Sequence, residues 1–415
     1  MGLVGCYRQP KNAQPNIRII IVKKTRILIV FSIIFQMSYA QNKTVDNYLS
    51  IDKKALQIPE DQTNSVDLIS DYIKVNFKTE KERVRAIFIW IATNINYDIE
   101  NMYSVDFDNS DSAKISRPLQ TRKGVCANYA ALFYALCVKL NIRSYIIDGY
   151  TKQNGIVDNA SHAWCAAFVD GSWFLFDPTW GSGYANNGKY YKKLNNSYFL
   201  AKPSDLIRSH MPYDYLWQFM EYPLTNQEFI EGKLGLNKSR SYFNYKDSIE
   251  AYEKQDEFTR LVSSAKRIEK NGIKHALIMT KLQYLKQNIE NTVHNRFVGI
   301  YNSAVVESND GIDSLNAFIN CRNNQFIPKK TDQEIQRMLD VANDKLNNSK
   351  SKIAQVKSTD TNLTVLVGQL NRSIDEATNQ LKQQQNWLKT YLSKGKLGRK
   401  LMFVDKVTWF GIPLN

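Results

Sequence analysis

Residues 163–176 constrain the fold more tightly than any other stretch. Two apolar runs, Ala163 to Val169 and Ser172 to Phe176, flank Asp170-Gly171. Asp-Gly between apolar runs predicts a β-hairpin with a two-residue turn, because both central positions of that turn need positive φ. The turn sets the register: Val169 faces Ser172 and, counting outward, Trp164 faces Asp177. Strand side chains alternate, so His162 shares the face of Trp164 and lies one diagonal step from Asp177. Diagonal neighbours are about 7–8 Å apart or somewhat less, within side-chain reach. A carboxylate placed there can hold an imidazole in one tautomer.

A nucleophile for such a pair is available upstream. Gly124-Val125-Cys126 precedes Ala127, Ala130, Ala131, Leu132, Tyr134, Ala135 and Leu136, a helix-favouring run that places Cys126 at a helix start. The unpaired N–H groups and dipole there lower a thiol pKa, and a backbone N–H can face a developing oxyanion. The other cysteines fit less well. Cys165 follows His162 by three residues and points to the opposite sheet face. Cys137 lies roughly 16 Å further along the helix at about 1.5 Å per residue. Both read as core. Cys321 lies in a helical stretch with no strand partner. Cys126 therefore reads as nucleophile, His162 as base and Asp177 as the residue that orients the histidine. His210, in the loop-like Ser209-His210-Met211-Pro212, is the weaker base candidate. Trp90 reads as core packing.

Elsewhere the patterns are mostly helical. Val66, Ile69 and Ile73 form one stripe; Val84, Ile87, Phe88, Ile91 and Ile95 form another. Thr79 with Glu82 predicts a capping box between them. Residues 98–123 read as a polar loop, and residues 180–196, rich in Gly, Asn and Tyr, as a surface loop. Ser144 to Tyr150 reads as a strand. Beyond residue 226 strand signals fade. The apolar series Ile335 to Val356 and Leu363 to Leu388 predict an antiparallel helical hairpin, broken and capped within residues 358–362.

At the N-terminus, Lys23, Lys24 and Arg26 precede an apolar run from Ile27 to Phe35, and Ser38-Tyr39-Ala40 offers small residues at a cut. This predicts a signal peptide over residues 1–40, hence export to the periplasm or medium; an uncleaved segment would be the only route to membrane association. The formal charge of +15 falls to +9 without the six basic residues of that segment, and the excess sits beyond residue 226. For an exported chain this argues against nucleic acid as a partner and fits an anionic envelope surface or acidic partner of the helical region, or equally a well-solvated basic helical surface. Four scattered cysteines beyond Cys6 make neither a disulfide framework nor a paired zinc site, so no metal or cofactor is expected.

The blocks Gly124-Val125-Cys126-Ala127-Asn128-Tyr129-Ala130, His162-Ala163-Trp164 and Trp173-Phe174-Leu175-Phe176-Asp177-Pro178-Thr179-Trp180 resemble the transglutaminase-like superfamily. Residues 90–98 resemble the helix preceding its cysteine. The resemblance covers roughly residues 80–225, including His210-Met211-Pro212 and Trp217-Gln218, and implies an α+β, papain-like core, with the cysteine helix packed on an antiparallel sheet. Together with the helical patterns on either side, it divides the chain into a 41–79 helical lead-in, an 80–225 catalytic domain and a 226–415 α-helical domain. Its nucleophile, base and orienting acid map onto Cys126, His162 and Asp177. Cys165 departs from the family's frequent Asn without touching these positions. The implied chemistry is attack on the amide carbonyl of a protein or peptide through a thioester. Hydrolysis is favoured over cross-linking because no amine pocket is legible. The alternatives are a non-catalytic scaffold or envelope interaction protein and, with no Cys-x-x-Cys to support it, a redox thiol protein.

Overall fold

A computed structural model describes residues 48–102, 110–235 and 237–403. The segment read as a signal peptide lies outside them. Among the described residues no helix is long and apolar enough to cross a membrane.

The elements run α1 (Leu49–Ala55), α2 (Val66–Asn76), α3 (Glu80–Asn94), β1 (Asn96–Tyr97), α4 (Asp111–Thr121), β2 (Lys123–Gly124), α5 (Cys126–Lys139), β3 (Ser144–Gln153), β4 (Ile156–Val169), β5 (Ser172–Phe176), α6 (Pro178–Ser182), β6 (Gly183–Asn186), β7 (Lys189–Lys192), α7 (Pro203–Leu206), β8 (His210–Pro212), α8 (Asn226–Glu231) and α9 (Tyr245–Lys254). Then come α10 (Glu257–Asn271), α11 (Ala276–Asn323), α12 (Asp332–Ile353), α13 (Thr361–Leu392) and α14 (Lys396–Leu401). The chain divides into two compact units. One takes the described residues to Glu253 with Arg267–Met279; the other takes Lys254–Lys266 and the described residues from Thr280 on.

The first unit is α+β. Its main sheet is antiparallel in the order β5-β4-β3-β8. The Asp170-Gly171 turn has positive φ at both positions, and Val169 pairs with Ser172 and Cys165 with Phe176, the register counted from the turn. One face of β4 presents Ala163, Cys165, Ala167 and Val169 to α5, which meets it with Ala130, Phe133 and Cys137 in a core shared with α3. Small residues on both sides let the backbones approach, and Cys165 Sγ lies 3.5 Å from the Ala130 carbonyl oxygen. Trp90 is buried in this core. The α3 N-terminus carries the expected capping box: Thr79 Oγ1 accepts from the Glu82 N–H, and Glu82 accepts from the Thr79 N–H. Arg85, 1% exposed, donates both to Asp52 at 2.6 Å and to Asn196 Oδ1 at 2.7 Å, tying α1 and the 195–198 segment to α3.

Two stretches read as loops are ordered. Within 98–123, Ser110 caps α4, its hydroxyl accepting from the Ala113 N–H, and β2 pairs in parallel with β1. Within 180–196, Asn187-Gly188 takes positive φ and closes a β6–β7 hairpin.

In the second unit α12 and α13 run antiparallel. Lys350 near the end of α12 pairs with Asp375 early in α13, while Asp332 at the start of α12 meets Arg399 beyond the end of α13. Leu339, Leu346, Leu381 and Leu388 share one buried cluster with Phe318 of α11. Asp360 caps α13 by accepting from the Leu363 N–H.

Candidate active site

Cys126 is the first residue of α5 because the preceding segment is pinned in extended form. Tyr97 pairs with Gly124, and Asn128 Oδ1 accepts from the Val125 N–H at 2.9 Å while its amide donates to the Lys114 carbonyl. A Cβ on Gly124 would come 2.8 Å from the Asn128 Cβ, so glycine is needed for that fold-back. The N-cap is Val125, whose side chain caps nothing. The first-turn N–H groups therefore keep their positive end beside the sulfur.

His162 sits on β4 opposite Gly149 of β3. Its Nε2 lies 2.8 Å from Asp177 Oδ2, and the Cys126 thiol is near enough for the two groups to shift each other's pKa. With Nε2 taken by the carboxylate, Nδ1 is the nitrogen left for sulfur. Asp177 closes β5 and caps α6: its Oδ1 accepts from the Thr179 N–H at 2.8 Å and the Trp180 N–H at 3.1 Å. The carboxylate is 0% exposed. The residues picked from sequence as nucleophile, base and orienting acid are thus brought together.

A fourth residue joins them. His210, on β8, places its Nε2 3.0 Å from the same Asp177 Oδ2, and its Nδ1 lies 2.8 Å from Ser209 Oγ. It meets the carboxylate, not the thiol, which differs from the role of alternative base. Gly149 makes room for this arrangement. A Cβ there would lie 2.2 Å from the Met211 carbonyl oxygen and 2.5 Å from Trp164 Cη2. Its absence lets β8 close on β3 and lets the Trp164 indole cross β3 to reach His210, with ring centroids 5.2 Å apart. Trp180 packs on both imidazoles, at 5.7 Å from His162 and 4.6 Å from His210. A three-residue strand has too little periodicity to announce itself in sequence; the available signal was a histidine bracketed by Ser209 and Pro212.

The electrostatics follow from burial and these contacts. Burial pushes the Cys126 thiol up, but the hydrogen bond and charge of His162, with the Ala163 N–H, outweigh it and hold the thiol below its ordinary value. Burial opposes charge on His162, yet Asp177 and Cys126 prevail and raise it to about 10. Burial likewise opposes charge on Asp177, but His162 and His210 hold its carboxyl well below the usual carboxylate range. His210 is lowered, chiefly by burial. The resulting order favours a thiolate–imidazolium pair backed by a carboxylate and a neutral second imidazole. Cys165 is raised well above its ordinary value by burial, and Cys137 is raised by the same cause, which leaves both inert. His162, Asp177 and His210 also offer two imidazoles and one carboxylate, with ligand atoms within 4.8 Å of one another. Their N–O separations are those of hydrogen bonds rather than of metal ligation.

Beside His162 opens a cleft of about 640 Å³. Trp180, Tyr184, Tyr190 and Tyr198 line it, and the β6–β7 hairpin forms one wall.

The family described as the transglutaminase-like superfamily matches residues 68–178. Kyphoscoliosis peptidase of Mus musculus is 34% identical over 171 residues, which cover 39% of this chain and 25% of that protein. Hillarin of Drosophila melanogaster is 26% identical over 202 residues, covering 43% of this chain and 24% of hillarin. The chain thus spans about a quarter of the length of these relatives. A solved TGase chain is 16% identical, with a TM-score of 0.23, over 40% of this chain and 42% of that chain. Residues 68–178, the segment that carries Cys126, His162 and Asp177, thus match the transglutaminase-like superfamily.

Proposed function

We propose that this protein is a thiol enzyme that cleaves an amide bond of a protein or peptide. The observation that carries the reading is His162, hydrogen-bonded through Nε2 to a fully buried Asp177 and close enough to Cys126, at a helix N-terminus, to lower its thiol pKa. The Cys126 thiolate attacks the carbonyl carbon, forming a C–S bond and an oxyanion that the first-turn N–H groups of α5 stabilise. Collapse of the oxyanion breaks the C–N bond. The leaving amine takes the His162 proton, and a thioester remains. His162, now neutral, takes a proton from water as the water oxygen attacks the thioester. The second oxyanion expels the thiolate, the acid departs and the ion pair is restored. Amide and water give acid and amine. Water is the favoured acceptor over an amine, in keeping with the name peptidase borne by a relative 34% identical over the shared segment.

The N-terminal pattern of residues 1–40 supports placing this reaction outside the cytoplasm, and the basic helical region supports a role in holding an acidic or envelope partner. The deciding experiment incubates wild type and Cys126→Ala with a peptide library and reads cleavage by mass spectrometry. Products from wild type alone are expected. Equal products from both proteins would refute the nucleophile, and no product from either, with a partner retained by both, would favour the scaffold alternative.

A further inference from the structure

We propose that the cleft beside His162 is a side-chain pocket that admits an aromatic residue of the peptide and refuses a cationic one; the inference rests on the amide chemistry above. Five rings line it: Tyr97, Trp180, Tyr184, Tyr190 and Tyr198. Rings gathered this way offer faces and edges to a sixth ring, an arrangement that gains beyond simple area burial. The volume, about 640 Å³, is in the range of sites that enclose a few residues of ligand.

Part of the lining is pre-set and part is open. Tyr190 is fixed, its hydroxyl 2.7 Å from Ser182 Oγ, which in turn donates to the Thr179 carbonyl. Gly183 lets the hairpin pinch tightly, since a Cβ there would lie 2.2 Å from the Tyr191 carbonyl oxygen. Tyr184, by contrast, is 52% exposed and, among the described residues, stacks only on its hairpin neighbour Tyr191, at 5.4 Å. An arriving ring would cover it.

Two polar features set the sign and the anchor. No carboxylate side chain is among the described lining residues, and Lys193 contributes an ammonium with no ion-pair or hydrogen-bond partner among them. A lysine or arginine side chain entering the cleft would meet the like charge of Lys193 with no carboxylate among the described lining residues to pair with it, which is discrimination by repulsion. Thr179 lines the same cleft beside His162, 6% exposed, and its hydroxyl has no partner among the described residues. A buried unpaired hydroxyl is costly, and a peptide carbonyl or N–H drawn into the cleft would satisfy it.

The test uses the full chain and three dipeptide chloromethyl ketones bearing Phe, Ala or Lys, with adduct at Cys126 counted by mass spectrometry. Each rate is divided by the iodoacetamide rate of the same protein, so the pocket is read separately from the thiol. The expected order is Phe at least tenfold over Ala, with Lys slowest. Tyr184→Ala should cut the Phe/Ala ratio at least threefold, and Lys193→Glu should raise the Lys/Ala ratio at least threefold. Equal normalised rates for the three probes, with rapid iodoacetamide reaction, would overturn the pocket and leave the amide chemistry standing. A sluggish, ordinary thiol that still prefers Phe would support the pocket while refuting the amide chemistry.

Discussion

Replacing Asp177 by Asn tests the electrostatic reasoning with little change in shape. Asparagine caps a helix about as well as aspartate, so the Thr179 and Trp180 N–H groups keep an acceptor and α6 keeps its start. What disappears is the negative charge 2.8 Å from His162 Nε2. Burial already opposes charge on His162, and Asp177 is the largest influence that raises it to about 10. Without that anion the imidazole falls toward or below its ordinary value near 6.5, and the proton returns to sulfur at neutral pH. A thiol with an ordinary pKa of about 8.5 is only ~3% thiolate at pH 7. Thiolate therefore drops about thirtyfold from a fully formed ion pair, and the greater nucleophilicity of a more basic thiolate returns a factor of a few. The net expectation is roughly tenfold slower iodoacetamide alkylation of Cys126 at pH 7, with the midpoint of the pH profile moved upward. Stopped-flow alkylation from pH 5 to 10, with adducts located by mass spectrometry, measures both. Superimposable profiles of wild type and Asp177→Asn, with unchanged circular dichroism, would refute the claim that Asp177 sets the proton's position.

Further expectations follow from the same contacts. His210 is lowered by burial, so around pH 6 the unfolded chain binds the extra proton, and stability contributed by neutral His210 is lost as pH falls below about 6.5. The melting temperature should decline from pH 6.5 to 5, and His210→Gln should flatten that decline; an unchanged slope would count against it. His162 acts in the opposite sense, its contribution present at low pH and lost as pH rises through about 10. Arg85→Met leaves Asp52, itself 17% exposed, without its guanidinium; breaking a buried pair costs roughly 3–5 kcal/mol, the partly exposed carboxylate favours the lower end, and chemical denaturation should read it. Gly149→Ala forces β8 away from β3, since the new Cβ would meet main chain at 2.2 Å. It should lower both the melting temperature and the alkylation rate of Cys126, and a neutral outcome would show that β8 does not position His210.

Much of the site could be read from residues because local chemistry dictated it. The Asp-Gly turn fixed the pairing of β4 with β5, and with it the diagonal from His162 to Asp177. The Thr79–Glu82 box marked the start of α3. Where reading failed, composition concealed geometry. The α4 helix hides behind a polar lead-in and an internal Pro118, and the β6–β7 hairpin behind a Gly- and Asn-rich stretch whose Asn187-Gly188 was itself a turn signal. His210 was beyond local inference. Its meeting with Asp177 depends on β8 joining the far side of β3, a long-range pairing that no local pattern encodes.

The carboxylate's surroundings bear on what counts as a working piece of this protein. The match to the family description ends at residue 178, one residue past Asp177, although relatives match over longer stretches. Yet four of the groups that hold Asp177 come later: the N–H groups of Thr179 and Trp180, the Tyr198 carbonyl that accepts from the Asp177 N–H, and the His210 imidazole. A fragment trimmed to the shared segment would keep every letter of the Cys-His-Asp signature and lose the setting that keeps its acid ionised and aimed. The shortest piece that keeps every partner of Asp177 therefore extends at least through β8.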